Sequence, residues 1–373
     1  MRGKLINYIL CLLFLLAVFA MAALFLLLPK EDFSQKEKRY LEKAPELSWD
    51  SLSSGDFGEK AEKYMADHLP FRDFLVGLAA NVDRLMGLQV TKDIYVGRSG
   101  RLYEAPCRED AAALEGNMEA INSFAQKLGR EVDFMLAPSA GYIMQDDIEG
   151  LKNPYIDDKL ISQAYGLAGE NVRCIELLEP FSQAERERLY YRTDHHWTGY
   201  GAWLAYGEYM GSLGRTSKDM ADYSLSYVPG FYGSTYSRSA LWQFPAEYME
   251  VWDDGGSYRI TFSDREGEFY GLFFPERLEE PDKYSYWLDG NHPLVRIENL
   301  DPEARGSLLV IRDSFSNCLG CFLAGSYKTV VLADLRYYKE PLSALYEREG
   351  FDDVLVAYSL GNFLTDNNFI WLE

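Results

Sequence analysis

Apolar positions follow three rhythms along this chain. The first is unbroken: residues 5–28 carry no charge, and Asn7 is their one strongly polar side chain. A run of that length can cross the roughly 30 Å hydrocarbon core of a bilayer as one helix. The second rhythm is helical. Over residues 56–68 and 71–88 apolar side chains recur at three- and four-residue spacing, with Pro70 between the two segments. This predicts a helical stem over residues 31–90. Two short strands around a glycine turn follow at 94–103. The third rhythm alternates short apolar runs with amphipathic ones. Helices are expected at 110–129, 157–168, 196–213, 316–324 and 341–349. Strands are expected at 132–137, 172–178, 307–311, 329–333 and 354–358. Apolar strands alternating with helices specify an α/β fold, with a largely parallel sheet flanked by helices. Residues 223–300 interrupt that alternation. They are rich in Tyr, Trp, Gly and Ser, with strand-like stretches at 248–252 and 258–262, and read as a partly β insertion. The expected organisation is an anchor over 1–30, a stem over 31–90 and an α/β domain over 91–373 containing that insertion.

Composition narrows the class. Of 373 residues, 58 are Asp or Glu and 37 are Lys or Arg, for a formal charge of −21. A general nucleic-acid binder needs a net basic surface, so nucleic acid is not an expected partner. Arg2 and Lys4 precede the apolar run, and further Lys and Arg follow it, so charge alone does not set the orientation. A short basic start, a long apolar run and the whole protein behind it read as a signal anchor, with the chain beyond residue 30 extracytoplasmic. The rival is a cleaved signal peptide. Ala20-Met21-Ala22 offers small residues for cleavage, but the apolar run continues past it through Leu24 to Leu28. The expected location is therefore the cell membrane, in a single pass through residues 5–28. Five cysteines, one of them Cys11 in the apolar run, are too few for a disulfide scaffold in a domain of this size. Cys318 and Cys321 share one face of an expected helix, which leaves packing, a local disulfide and redox chemistry open.

Two segments carry candidate chemistry. In Asp194-His195-His196-Trp197, extended geometry would place Asp194 and His196 on one side and His195 on the other. A carboxylate beside an imidazole fixes its tautomer and stabilises the imidazolium, as a hydrolytic triad requires. The plainer alternative is a turn before a helix, capped by Thr198 or Asp194. The second segment is Arg312-Asp313-Ser314-Phe315-Ser316, after a buried strand and before a helix. Open α/β sheets place their sites at such carboxyl ends, and the amides of the next turn can stabilise an oxyanion. Here the plainer alternative is a serine acting only as a helix cap. Ser139, also after a strand, is a rival nucleophile with no linked histidine. Asp194, His195 and His196 offer zinc-type ligands, but no third spaced cluster accompanies them, so no metal or other cofactor is expected.

Asp194-His195-His196-Trp197 resembles the signature of the DHHW protein family. The likeness extends to Lys38-Arg39-Tyr40-Leu41, Asp67-His68-Leu69-Pro70-Phe71-Arg72, Tyr95-Val96-Gly97, Gly290-Asn291-His292-Pro293, Arg312-Asp313-Ser314-Phe315 and Asp334-Leu335-Arg336-Tyr337-Tyr338. More distantly the chain is similar to the SGNH-hydrolase-like alginate O-acetylation proteins. This resemblance implies an SGNH-like fold, with Ser314 as nucleophile, His196 as base and Asp194 as its orienting carboxylate. Gly290, Asn291 and Arg336 become candidates for the oxyanion or substrate. Arg312 stands where the usual SGNH serine block has glycine. The function so implied is an extracytoplasmic, membrane-anchored acyl-transfer enzyme. It would O-acetylate or deacetylate an extracellular polysaccharide, with a membrane-embedded acyl donor protein as partner. The alternative class is a non-catalytic cell-surface module that binds polysaccharide or supports assembly on the same fold.

Overall fold

The structure is a computed structural model that describes residues 2–34, 39–88, 90–91, 93–148, 155–242 and 244–373. Lys38, the first residue of one stem motif, lies outside them. The chain forms two units, residues 1–91 with 237–243, and residues 92–236 with 244–373.

The first unit holds helices α1 (Arg2–Leu27), α2 (Trp49–Ser54), α3 (Asp56–Asp67) and α4 (Arg72–Leu85). Residues Lys4–Leu27 of α1 are long and apolar enough to cross a membrane. Gly55, at φ 87°, turns α2 into α3, a backbone conformation glycine adopts without Cβ strain. Pro70 interrupts the helical pattern as expected, and Phe71 starts α4 in the left-handed region. Phe74 of α4 stacks on Trp242 at 5.4 Å between ring centroids. Gly77 makes room for that indole, because a Cβ there would meet Trp242 Nε1 at 1.9 Å.

The second unit begins with the hairpin β1 (Ile94–Val96) and β2 (Leu102–Glu104). It continues with α5 (Ala111–Leu128), β3 (Val132–Ala137), α6 (Asp157–Gly166), β4 (Val172–Ile175) and α7 (Gly199–Ser212). Next come β5 (Ser224–Phe231), β6 (Glu247–Asp253), β7 (Tyr258–Phe262), β8 (Phe269–Tyr270) and β9 (Leu294–Asn299). The C-terminal part adds β10 (Ser307–Arg312), α8 (Ser316–Ala324), β11 (Thr329–Ala333), α9 (Leu342–Glu349), β12 (Asp353–Ser359) and α10 (Leu360–Thr365). Asp110 caps α5 by accepting from the Ala113 amide, and Gly129 ends it at φ 62°. The expected helix over 196–213 starts at Gly199 instead. Thr198 is its N-cap, with its hydroxyl accepting from the Gly201 amide, which leaves His196 on the loop.

Eight strands form one sheet in the order β8-β7-β9-β11-β10-β12-β3-β4. From β11 to β4 the neighbours are parallel; from β8 to β11 they are antiparallel. The fold is thus α/β with a parallel centre, and the 223–300 stretch supplies the antiparallel edge rather than only decorating the domain. Burial accounts for the difference. β10 and β12 are buried nearly throughout, as a parallel strand between two helical layers must be. β7 and β9 alternate buried and half-buried positions, the pattern of a strand with one covered face. β5 and β6 form a separate hairpin.

Alternation along the central strands divides the interior in two. Leu308 and Val310 of β10 and Leu355 and Ala357 of β12 pack with Ala205, Tyr206 and Tyr209 of α7 and Leu319 and Phe322 of α8. Leu309, Ile311, Val354 and Val356 pack on the other side with α5, α6, α9 and α10. The turn after β10 therefore opens at the carboxyl end of a strand in the centre of the sheet, where α/β sheets place ligands.

Candidate active site

The loop before α7 is folded back on itself. Tyr190 and Trp197 form an isolated antiparallel bridge, and the Tyr191 amide donates to the His196 carbonyl at 3.2 Å. Glu247, at the start of β6, holds the loop from outside. Its carboxylate accepts from the Arg192 and Thr193 amides, each at 2.7 Å, and from the Thr193 hydroxyl. Burial pushes the Glu247 carboxyl up, and these donors oppose that shift. No motif in the sequence pointed to Glu247, because its partners are two amides and one hydroxyl more than fifty residues away.

Within that loop Asp194 and His196 meet. His196 Nδ1 lies 2.5 Å from Asp194 Oδ1, and His196 Nε2 lies 2.8 Å from Ser314 Oγ. Asp194 also accepts from the His196 amide at 2.9 Å and from the Ser234 amide at 2.6 Å. With its oxygens occupied by donors, Asp194 accepts the proton on Nδ1, so the Nε2 lone pair faces the serine hydroxyl. Asp194, His196 and Ser314 are all buried. Burial pulls the His196 pKa below its ordinary value and the neighbouring His195 adds to this, against the opposing pull of Asp194.

His195 departs from the extended-segment expectation. It does not turn to the far side. Its ring centroid lies 3.9 Å from that of His196, and its Nδ1 is 2.7 Å from Ser234 Oγ. The loop bends through these residues rather than running as a strand, so neighbouring side chains do not alternate. Tyr284 stacks on His196 at 3.8 Å with 7° between the ring planes. Asp194, His195 and His196 present ligand atoms within 4.8 Å of one another. Those nitrogens and that carboxylate are engaged with Ser234, Ser314 and each other.

The serine turn is braced from both sides. Trp197 Nε1 donates to the Phe315 carbonyl at 3.0 Å, joining the histidine loop to the turn after β10. Asp313 accepts from the Phe315 amide at 2.9 Å, and from the Ser359 amide, the Ser359 hydroxyl and Asn362 Nδ2, each at 2.8 Å. These bonds tie the turn to the adjacent end of β12. The cap position of α8 is Phe315 and has no side-chain cap bond. The Ser314 hydroxyl is thus committed to His196 and not to a helix end. Ser139 is the opposite case: its hydroxyl accepts from the Tyr142 amide as the cap of a short helix.

The remaining candidates are distributed around this centre. Asn291 Oδ1 accepts from Arg312 Nη1 and from Asn317 Nδ2, both at 3.1 Å. The Gly290 amide is used in a turn, donating to the Trp287 carbonyl at 3.1 Å. Arg336 clasps Asp334 through Nε at 2.9 Å and Nη2 at 2.6 Å. Cys318 and Cys321 are buried free thiols, and burial raises the pKa of each. Packing is the role this geometry gives them.

Trp197→Phe tests the brace between loop and turn. It keeps most of the buried ring and leaves the Phe315 carbonyl without its donor. The expected loss is about 1–3 kcal/mol of stability, read by denaturant unfolding of the full chain in detergent.

With this geometry in view, comparison with known proteins is informative. A DHHW family protein from Eubacterium siraeum shares 21% identity, with a TM-score of 0.66 over 75% of this chain and 94% of that one. PatB1 of Bacillus cereus, in a structure with a sulfonyl adduct, shares 23% identity and a TM-score of 0.62 over 75% and 98%. The O-acetyltransferase domain of Pseudomonas putida AlgJ shares 16% identity and a TM-score of 0.44 over 74% and 93%. The first two likenesses establish the fold. No curated protein matches the chain in sequence. The DHHW protein family matches residues 110–333, more than half of the length, and the chain belongs to that family.

Proposed function

We propose that this protein is a membrane-anchored, extracytoplasmic acyl-transfer enzyme with Ser314, His196 and Asp194 as its catalytic triad. It would add acetyl groups to, or remove them from, hydroxyls of an extracellular polysaccharide. One observation carries the reading: the continuous hydrogen-bonded line from Ser314 Oγ through both nitrogens of His196 to Asp194. That line is also the shortest account of why a histidine, an acid and a serine are buried together. Each would otherwise carry a desolvation penalty.

The steps follow from the geometry. His196 Nε2 takes the Ser314 proton as Oγ bonds to the carbonyl carbon of the acyl donor, and the carbonyl electron pair moves to oxygen. The Ser314 amide, which donates to no acceptor among the described residues, is a backbone donor available to that oxyanion. Collapse expels the donor's alcohol, which takes the proton from His196. A sugar hydroxyl, or water, then repeats the sequence against the acyl-serine, with His196 as base. Asp194 keeps the imidazole in the required tautomer and steadies its transient charge.

The acceptor class draws on the family resemblance and on one surface feature. Tyr227 and Tyr248 stand 55% and 64% exposed on the β5–β6 hairpin. Tyr227 pairs with Glu250, and Tyr248 lies two residues from that partner, so both rings share a face. Such rings suit the apolar faces of sugars. A membrane-embedded protein would supply the acyl group, and the chain would be organised as an anchor over 1–30, a stem over 31–90 and a catalytic domain over 91–373.

Turnover of p-nitrophenyl acetate by the full chain in detergent tests the triad. Ser314→Ala and His196→Ala should each lower kcat by about 10²–10⁴-fold; wild-type rates in both would leave only a binding module. The pH profile is a second test. A histidine with a lowered pKa stays deprotonated further into acid. The acid limb of kcat/KM should therefore fall below pH 6.5, the ordinary histidine value. A midpoint above that value contradicts the assignment. Orientation is read on intact cells: external protease should remove a C-terminal tag from the full chain, and a protected tag would place the domain inside.

A further inference from the structure

Arg312 is the oddest residue near the serine. It stands two positions before Ser314, and its guanidinium is fully buried. Burial lowers its pKa, and its ion pair with Asp334 Oδ2 is long, at 3.9 Å, to a carboxylate already clasped by Arg336. Its Nε and Nη2 have no hydrogen-bond partner among the described residues. A buried cation left this incompletely paired costs stability, so its retention calls for a reason.

Its Nη1 supplies one. That single nitrogen donates to Asn291 Oδ1 at 3.1 Å and to Asn317 Oδ1. Asn317 Nδ2 donates in turn to the same Asn291 Oδ1 at 3.1 Å. The Asn291 oxygen therefore accepts from two buried donors, and a carboxamide so held cannot flip. Because the amide group is planar, its Nδ2 must point away from Arg312 and Asn317. Asn291 is itself exposed, which leaves that donor accessible to solvent or a ligand.

The backbone that delivers Asn291 is a second and independent observation. Leu288, Asp289 and Gly290 all lie at positive φ, at 53°, 63° and 88°. Two of these are not glycine, and left-handed backbone strains a residue that carries a Cβ. It is held by the buried Asp289 carboxylate, which accepts from Arg277 Nε at 2.6 Å and also pairs with Arg265 and His292. Strained backbone of this kind persists where surrounding bonds over-determine it, and it clusters at functional sites.

We propose that Arg312 is a positioning residue that locks the Asn291 carboxamide so that its Nδ2 donates to the oxyanion formed on Ser314. The inference rests on the triad reading above. Asn291 Nδ2 joins the Ser314 amide as the carbonyl electron pair moves to oxygen, and no proton passes through either residue. The guanidinium acts at one remove, through Asn291 and Asn317, and does not touch the substrate.

A double-variant cycle on the full chain in detergent tests this, with kcat, KM and Tm read for each protein. Asn291→Asp keeps the shape and the acceptor beside Arg312 but has no N–H. It should lower kcat about 10²-fold with little change in KM and no loss of Tm. Arg312→Lys keeps the charge and loses the fork. It should lower kcat at least about tenfold alone, and by less than about twofold when added to Asn291→Asp. Asn317→Ala, which removes the other donor on Oδ1, should show a smaller loss with the same dependence on Asn291. If Arg312→Lys does not fold, Arg312→Gln takes its place in the cycle. Unchanged kcat in Asn291→Asp, or effects that multiply independently, would overturn the proposal. Ser314→Ala separates the two levels: if it also keeps full turnover, the triad reading fails; if it abolishes turnover, only the role of Arg312 is lost.

Discussion

One buried bond joins two stretches of chain 118 residues apart: His196 Nε2 to Ser314 Oγ. Neither partner makes sense without the other. A buried imidazole with an open lone pair and a buried hydroxyl without an acceptor are each unfavourable. Together they satisfy one another, and Asp194 closes the line. Much of the surrounding architecture serves to keep that meeting in register. The Trp197 indole holds the Phe315 carbonyl, Glu247 holds the loop amides, and Asp313 secures the serine turn to β12.

The sheet explains why the meeting can be accurate. β10 lies between β11 and β12, with a helical layer on each face. A strand buried on both faces has little freedom, and the turn that leaves it inherits that rigidity. The histidine loop is less regular, so it is fixed by side-chain bonds to backbone instead. Gly233 shows how close this packing is: a Cβ there would fall 2.2 Å from Asp194 Cβ. The glycine allows residues 233–234 to reach Asp194 and deliver the Ser234 amide to its carboxylate.

Around the triad, polar groups are arranged in linked pairs rather than singly. His195 leans on Ser234, Asp194 is shared between side-chain and backbone donors, and Asn291 is gripped by Arg312 and Asn317. In a low-dielectric interior such linked groups hold direction as well as position. The strained 288–290 backbone fits this view, because the ion pairs of Asp289 offset its cost.

The sequence by itself determined the long apolar helix, the alternation that produces a parallel α/β core, and the residue types at the serine and histidine segments. These are legible because helix and strand periods and strand-end placement are local properties. It left open whether Ser314 was only a helix cap, and it sent His195 to the wrong side, because a bent loop does not alternate as a strand does. It also missed Glu247, Ser234 and Tyr284, and it gave Asp313 no bracing role. Folding alone brings them to their partners: loop amides for Glu247, the His195 ring nitrogen and the Asp194 carboxylate for Ser234, the His196 ring face for Tyr284, and Ser359 and Asn362 for Asp313. The antiparallel edge built from β7 and β9 was hidden for the same reason. Which sheet a strand joins is decided by the face left uncovered in three dimensions, and an amino-acid pattern records only that such a face exists.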